Sequence, residues 1–408
     1  MLQVNRYILR LLAVAFVFGS IPSYLSVEPS YSILLSAGLI ASDTNSSEAF
    51  FKSCDAKLNP KDYKGAISDC TEAIRIDPNN VNAYNNRGYA KSFYLTDYRG
   101  AIADFTEAIR IDPNNARAYS SRGFVKYYHL KDYRGAIADF TETIRINPNN
   151  DSAYSWRGFA KSDLGDKYGM IADLTEIIRI KPNNDSAYFR RADAKRELGD
   201  KYGAIADYTE AIRLKPKDVN AYSRRADAKR ELGDKYGAIA DITEAIRLNP
   251  KDNYLYIFRI RLKEELKDYR GLIADYTELI RLKPKDDYAY SGRADANSKL
   301  GDYKSVIADY NEVIRLKPKD VNAYYNRGFA KSKLGDKYGA IADFTEIIRI
   351  NPKNAMAYYW RGDTKFELGD KQGALRDVRE AARLLQQQGD TFIYESTQDL
   401  IRKIENLR

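Results

Sequence analysis

Gly203-Ala204-Ile205-Ala206-Asp207-Tyr208-Thr209-Glu210-Ala211-Ile212-Arg213-Leu214-Lys215-Pro216 recurs with few changes from Gly100, Gly135, Gly169, Gly237, Gly271 and Gly339. The prolines that close it fall at 78, 113, 148, 182, 216, 250, 284, 318 and 352, an interval of 35 residues twice and 34 thereafter. A fixed period of this length with helical texture specifies stacked supersecondary units rather than one globular core. Dividing the chain two residues after each proline gives units starting at Ser47, Val81, Ala116, Asp151, Asp185, Val219, Asn253, Asp287, Val321 and Ala355.

Each unit reads as two helices. In the unit from Asp185, Ala187 to Leu198 form the first, and Gly199 suits its left-handed stop. Asp200 caps a second helix running from about Tyr202, and Pro216 cannot continue it. Asp218 then offers a cap to the next unit. The units from Val81 and Ala116 carry one extra residue in the inner turn, at Phe93-Tyr94-Leu95-Thr96 and Tyr128-His129-Leu130-Lys131. A helix pair this small cannot bury its faces alone, so stacking is obligatory.

The pattern resembles the tetratricopeptide repeat family over roughly residues 47–388, through Tyr154, Gly158, Gly165, Asp166, Ile177 and Pro182 in one unit and Tyr324, Gly328, Ala340, Phe344 and Pro352 in another. The resemblance implies an all-α, right-handed superhelical solenoid of about ten helix-turn-helix repeats, whose first helices line a concave groove where partners bind. One position departs from the pattern. The small residue at Gly88, Gly123, Gly158, Gly328 and Gly362 becomes Ala192, Ala226 and Ala294, and Ile260 in the unit from Asn253, where a local change of packing is expected. Residues 389–408 follow the repeats. Phe392, Ile393, Leu400, Ile401, Ile404 and Leu407 form an apolar stripe on what reads as a C-terminal capping helix, since terminal units need a polar outer side.

On a wheel of 100° per residue, the first helix of each unit has one apolar arc and one variable arc. The variable arc is the one the family resemblance assigns to the groove. It offers Tyr89, Phe124, Tyr127, Trp156 and Phe159 early in the array, then Arg190, Asp193 and Arg196, then Arg224, Asp227 and Arg230, and finally Tyr325, Phe329, Tyr359, Trp360 and Phe366. Exposed aromatics anchor an extended or helical peptide because they supply area with few rotamers to freeze. The Arg-x-x-Asp-x-x-Arg rows fit an acidic or phosphate-bearing segment, or else neutralise themselves one turn apart. Another pair recurs where burial is expected: Arg87, Arg122, Arg157, Arg191, Arg225, Arg259, Arg293, Arg327 and Arg361 on first helices, and an aspartate such as Asp207 on each second helix. A partly buried charge is costly unless paired, so a ladder of structural Arg–Asp pairs is predicted.

With 66 Lys and Arg against 57 Asp and Glu, the net charge is +9, but acidic residues accompany the basic ones in every unit. No basic run marks a nucleic-acid tail, so a protein or peptide partner is expected, with a polyanion-binding solenoid as the alternative. Two cysteines and one histidine, His129 in an inner turn, leave no metal or cofactor site, and no catalytic motif is present. Cys54 and Cys70 lie one on each helix of the first unit and could staple it in an oxidising compartment. Residues 1–46 stand outside the repeat. Arg6 and Arg10 precede the apolar run Leu11–Phe18, the plan of a secretory signal with Ser20, Ala37 and Ala41 as cleavage candidates, or of an uncleaved anchor. The chain is thus expected to be a non-enzymatic scaffold, exported, and touching a membrane only through that segment.

Overall fold

The computed structural model describes residues 46–389 and 391–406, so the expected signal or anchor segment lies outside the described residues, as do Leu407 and the side chain of Phe392. The fold is an all-α repeat solenoid, and among the described residues there is no strand. Contacts group the chain into two compact bodies, one to Pro216 and one from Lys217. In the N-terminal body the first helices are Ser47–Leu58, Val81–Ala90, Ala116–Val125, Asp151–Asp163 and Asp185–Glu197. Their second helices are Tyr63–Ile76, Tyr98–Ile111, Tyr133–Ile146, Lys167–Ile180 and Lys201–Leu214. In the C-terminal body the first helices are Val219–Glu231, Asn253–Leu266, Asp287–Lys299, Val321–Lys333 and Ala355–Glu367. The second are Lys235–Leu248, Tyr269–Leu282, Tyr303–Leu316, Lys337–Ile350 and Lys371–Gln388, followed by Thr391–Asn406.

Local chemistry sets these boundaries. Asp200 accepts a hydrogen bond from the Gly203 N–H (2.9 Å), satisfying a donor that the helix itself leaves unpaired. A Cβ at Gly203 would lie 2.1 Å from the Asp200 carboxylate, which explains the glycine; Ser305 replaces it by donating its own hydroxyl to Asp302 (2.7 Å). Lys215, forced away from the helical region by Pro216, has φ −134° and ψ 79°. The first helix stops at Gly199 with φ +86°.

The extra residue in the repeats from Val81 and Ala116 is absorbed by the helix, not by the turn. Lys91–Leu95 and Lys126–Leu130 are π-helical, and the left-handed stop passes to Thr96 and Lys131. A single π turn is the usual way a helix takes in one residue. It places His129 flat on Tyr98, with ring centroids 4.0 Å apart, instead of in a solvated turn. Burial lowers its pKa, helped by Lys131.

The predicted Arg–Asp ladder is present in both bodies. Each arginine from Arg87 to Arg361 meets the aspartate of its own second helix at 2.5–2.7 Å. A lysine one turn further on reaches the same carboxylate in most repeats, as Lys263 does on Asp275 (2.8 Å) and Lys331 on Asp343 (2.9 Å). The guanidinium also reaches back one repeat within a body, Arg122 to Thr106 (3.0 Å) and Arg259 to Thr243 (2.9 Å), so such a rung joins three helices. Arg87 and its counterparts complete the rung by lying over a tyrosine three residues earlier, at 5.5 Å for Tyr84. Outward, Glu210 and Arg213 pair at 2.8 Å on an exposed face.

The repeat from Asn253 is packed differently. Tyr208 and Tyr310 donate to Asp193 and Asp295 on their own first helices, opposite Ala192 and Ala294. Ile260 occupies that small-residue position, and Tyr276 donates instead to Glu264 (3.1 Å). Its ring reaches the next first helix at Gly292, where a Cβ would lie 2.3 Å from Tyr276 Cζ. Gly→Ala in a helix interior ordinarily stabilises by about 0.5–1 kcal/mol. Here Gly292→Ala is expected to destabilise by roughly 1–3 kcal/mol, because Tyr276 is only 3 % exposed and has nowhere to retreat. In the double variant with Ile260→Ala the two losses should fall short of additivity in denaturant melts; strict additivity would show that the two sites are not coupled.

At one end, Cys54 and Cys70 form a disulfide with Cα atoms 5.4 Å apart, and both are fully buried. At the other, Leu400, Ile401 and Ile404 of the last helix pack on Ala374, Val378 and Ala382 of Lys371–Gln388, with Ile393 against Leu384 and Leu385. No helix of the described residues is long and apolar enough to cross a membrane.

Candidate functional site

The aromatics of the variable arc are largely core in the N-terminal body. Phe124, Tyr127 and Trp156, expected to be exposed anchors, are 6, 4 and 5 % exposed. Trp156 meets Phe124 edge-on at 5.1 Å and Tyr127 at 5.5 Å. The Tyr127 hydroxyl donates to Asp163 at 2.9 Å. Two causes act together: large rings on neighbouring first helices close on each other, and the π turn breaks the 100° count that placed Tyr127 outward. Phe159 is half-buried under the Arg190 guanidinium, 4.7 Å from its ring centre. Tyr89 is half-buried and packs on Phe93 at 4.6 Å.

The charged rows do not form free anion clamps. In the N-terminal body Arg190 rests on Phe159 and Asp193 accepts from Tyr208, while Arg196 is half-buried. In the C-terminal body Arg230 pairs with Asp227 at 3.3 Å, and Arg224 is exposed.

The C-terminal body brings four of the remaining aromatics together. Phe329 lies 4.9 Å from Tyr325 and 4.6 Å from Trp360, and Trp360 meets Tyr359 at 5.1 Å. All four are half-buried; buried Phe344 from the second helix lies under Tyr325, Phe329 and Trp360, while Tyr359 packs on the cluster of Ala374 and Val378. Burial pushes the Tyr325 hydroxyl up to about 12, against the opposing effect of the Trp360 N–H. Phe366 stands apart, half-buried beneath Lys403 of the last helix at 5.6 Å. Phe329, Phe344 and Trp360 wall a cleft of about 400 Å³. Its polar lining was not singled out from the sequence: Asp363 and Glu367 one turn apart, with Lys337 bonded to Glu367 at 2.8 Å and Lys333 exposed at the rim. The signal was available, since Asp363 occupies the repeat position of Asp193. An enclosure of this size, apolar-walled with a few polar groups, fits one or two side chains of a bound chain. Among the described residues no three His, Cys, Asp or Glu side chains converge as a metal would require.

Two family models match the chain. One described as "TPR repeat" covers residues 93–127 and 298–335, and one described as "Tetratricopeptide repeat" covers 185–218, 219–252 and 321–354. No curated protein matches it. Similar solved structures include YrrB, titled a TPR protein with an unusual peptide-binding site (19 % identity, 46 % of this chain and 94 % of that one, TM-score 0.41). A tetratricopeptide repeat protein from Parabacteroides merdae is 22 % identical over 63 % of this chain and 99 % of its own, with TM-score 0.35. Yeast Tom70 is 13 % identical over 88 % and 95 %, with TM-score 0.34.

Proposed function

Since the chain belongs to the tetratricopeptide repeat family, we propose that it is a non-catalytic scaffold that holds a segment of a partner protein on the first helices of its C-terminal body. The observation that carries this reading is the half-exposed group of Tyr325, Phe329, Tyr359 and Trp360 beside a 400 Å³ cleft. Rigid aromatics beside a cleft are where binding energy concentrates in an interface. The corresponding surface of the N-terminal body has closed on itself, through the Phe124–Trp156 packing and through Asn86, which joins Asp55 (2.9 Å) to Arg117 (3.1 Å).

Random dodecapeptides displayed against the immobilised chain test the reading. Phe329→Ala should weaken the selected peptides about thirtyfold, roughly 2 kcal/mol. Tyr168→Ala, at a 74 % exposed tyrosine of the N-terminal body, should leave them unchanged. Equal effects of the two variants would remove the site. Affinity that instead collapsed with rising salt and ignored Phe329 would favour the polyanion reading.

The same proposal includes export, supported by the buried cystine and the leader-like start. Quenching cells in acid, alkylating thiols under denaturing conditions and then reducing should reveal Cys54 and Cys70 only after reduction. Free thiols in the first step would count against export.

A further inference from the structure

Five aspartates occupy one groove-facing position on the first helices: Asp55, Asp193, Asp227, Asp295 and Asp363. Four have donors within the chain. Asp55 accepts from Asn86 (2.9 Å), Asp193 from Tyr208, Asp227 from Arg230 (3.3 Å) and Asp295 from Tyr310 (2.9 Å). The tyrosine partner comes from the second helix fifteen residues on, and at that place after Asp363 stands Val378. Val378 is buried and has no hydroxyl to offer. Asp363 therefore keeps a half-buried carboxylate with no hydrogen bond or ion pair among the described residues, and it lines the cleft beside Phe329 and Trp360.

Taking the site proposed above as given, we infer that Asp363 is the receptor for a lysine or arginine side chain of the bound segment. A half-buried carboxylate needs a donor, and a charged one forms the stronger bond. Aromatic faces on the same cleft suit a cation, whose apolar stem would also fill the enclosure. Of the cations near Asp363, Lys337 bonds Glu367 at 2.8 Å, Lys403 stands over the Phe366 ring, and Lys333 is exposed at the rim with no bond to Asp363. Glu367, one turn along the same helix, adds a second negative charge. Burial and that neighbour hold the Asp363 carboxyl above its ordinary range, against the pull of Lys403 and Lys337, so an arriving cation relieves an existing penalty.

The experiment uses the random dodecapeptide library on the full chain, with a selected peptide resynthesised with its basic residue replaced by glutamine. Enriched peptides should carry Lys or Arg at a fixed distance from an apolar residue. Asp363→Asn should weaken them about tenfold and leave the glutamine peptide unaffected, while melting no lower than the parent chain. Peptides that depend on Phe329 but show no basic preference, or are indifferent to Asp363→Asn, would overturn this inference and leave the site standing. Peptides indifferent to Phe329 as well would overturn both.

Discussion

Asp275→Ala is expected to lower the stability of its repeat by about 3–5 kcal/mol. The Asp275 carboxylate is 1 % exposed and holds two cations, Arg259 at 2.5 Å and Lys263 at 2.8 Å, whose side chains are only 15 and 11 % exposed. Removing it leaves both without a counter-charge in a place that water barely reaches. Asp309→Ala provides the internal comparison. Its repeat has Asn297 where others have the lysine, so only Arg293 is orphaned, and that side chain is 23 % exposed. The loss there should be clearly smaller. Replacing Arg259, Lys263 and Asp275 together by Met, Leu and Val should restore much of what Asp275→Ala removes, because most of that loss is the desolvation of unpaired charge. A repeat array need not melt in two states, so the measurement is amide exchange in Tyr269–Leu282, not a single midpoint. Equal loss of protection in the Asp275 and Asp309 variants would show that the lysine contributes nothing to the rung.

What the sequence made legible was what repeats or acts locally. Proline spacing, aspartate caps, glycine stops and the Arg–Asp pairing each depend on residues within one period, and each appears where the pattern places it. The lysine of most rungs was equally readable as Arg-x-x-x-Lys, since residues one turn apart face one carboxylate, but its long apolar stem suits a buried arc and hid its role. Groove exposure was less legible because it depends on what the next repeat carries. Trp156 is covered through Phe124 and Tyr127, whereas Trp360 has half-exposed Phe329 and Tyr359 for neighbours and stays half-open. A single-helix wheel contains neither fact. Asp363 is the converse case: its significance lies in a missing hydroxyl at Val378, visible only once Tyr208 and Tyr310 are seen bonding their aspartates.

Removing the disulfide by Cys54→Ala and Cys70→Ala should destabilise the first repeat by about 3 kcal/mol, the value expected for a loop of this length. The bond spans 16 residues and joins Ser47–Leu58 to Tyr63–Ile76. The repeat alignment says what the bond replaces. Cys54 stands at the small-residue position of Gly88 and Gly123, and Cys70 at the position of Phe105 and Phe140. In those repeats the glycine lets a buried phenylalanine ring close on the first helix: a Cβ at Gly88 would lie 2.9 Å from Phe105, and at Gly123 3.1 Å from Phe140. The first repeat carries no such ring, so the alanine pair loses the covalent tie and gains no packing in return. Exchange protection should fall in Ser47–Leu58 and Tyr63–Ile76 while Lys201–Leu214 keeps its own, because each repeat leans mainly on its neighbours. Cys54→Gly with Cys70→Phe should then recover much of the loss by rebuilding the contact used next door, and should make the stability of that end indifferent to reductant. If the Gly/Phe pair proved no better than the Ala pair, the first repeat would differ from its neighbours by more than its cystine, and the equivalence drawn from the alignment would fail.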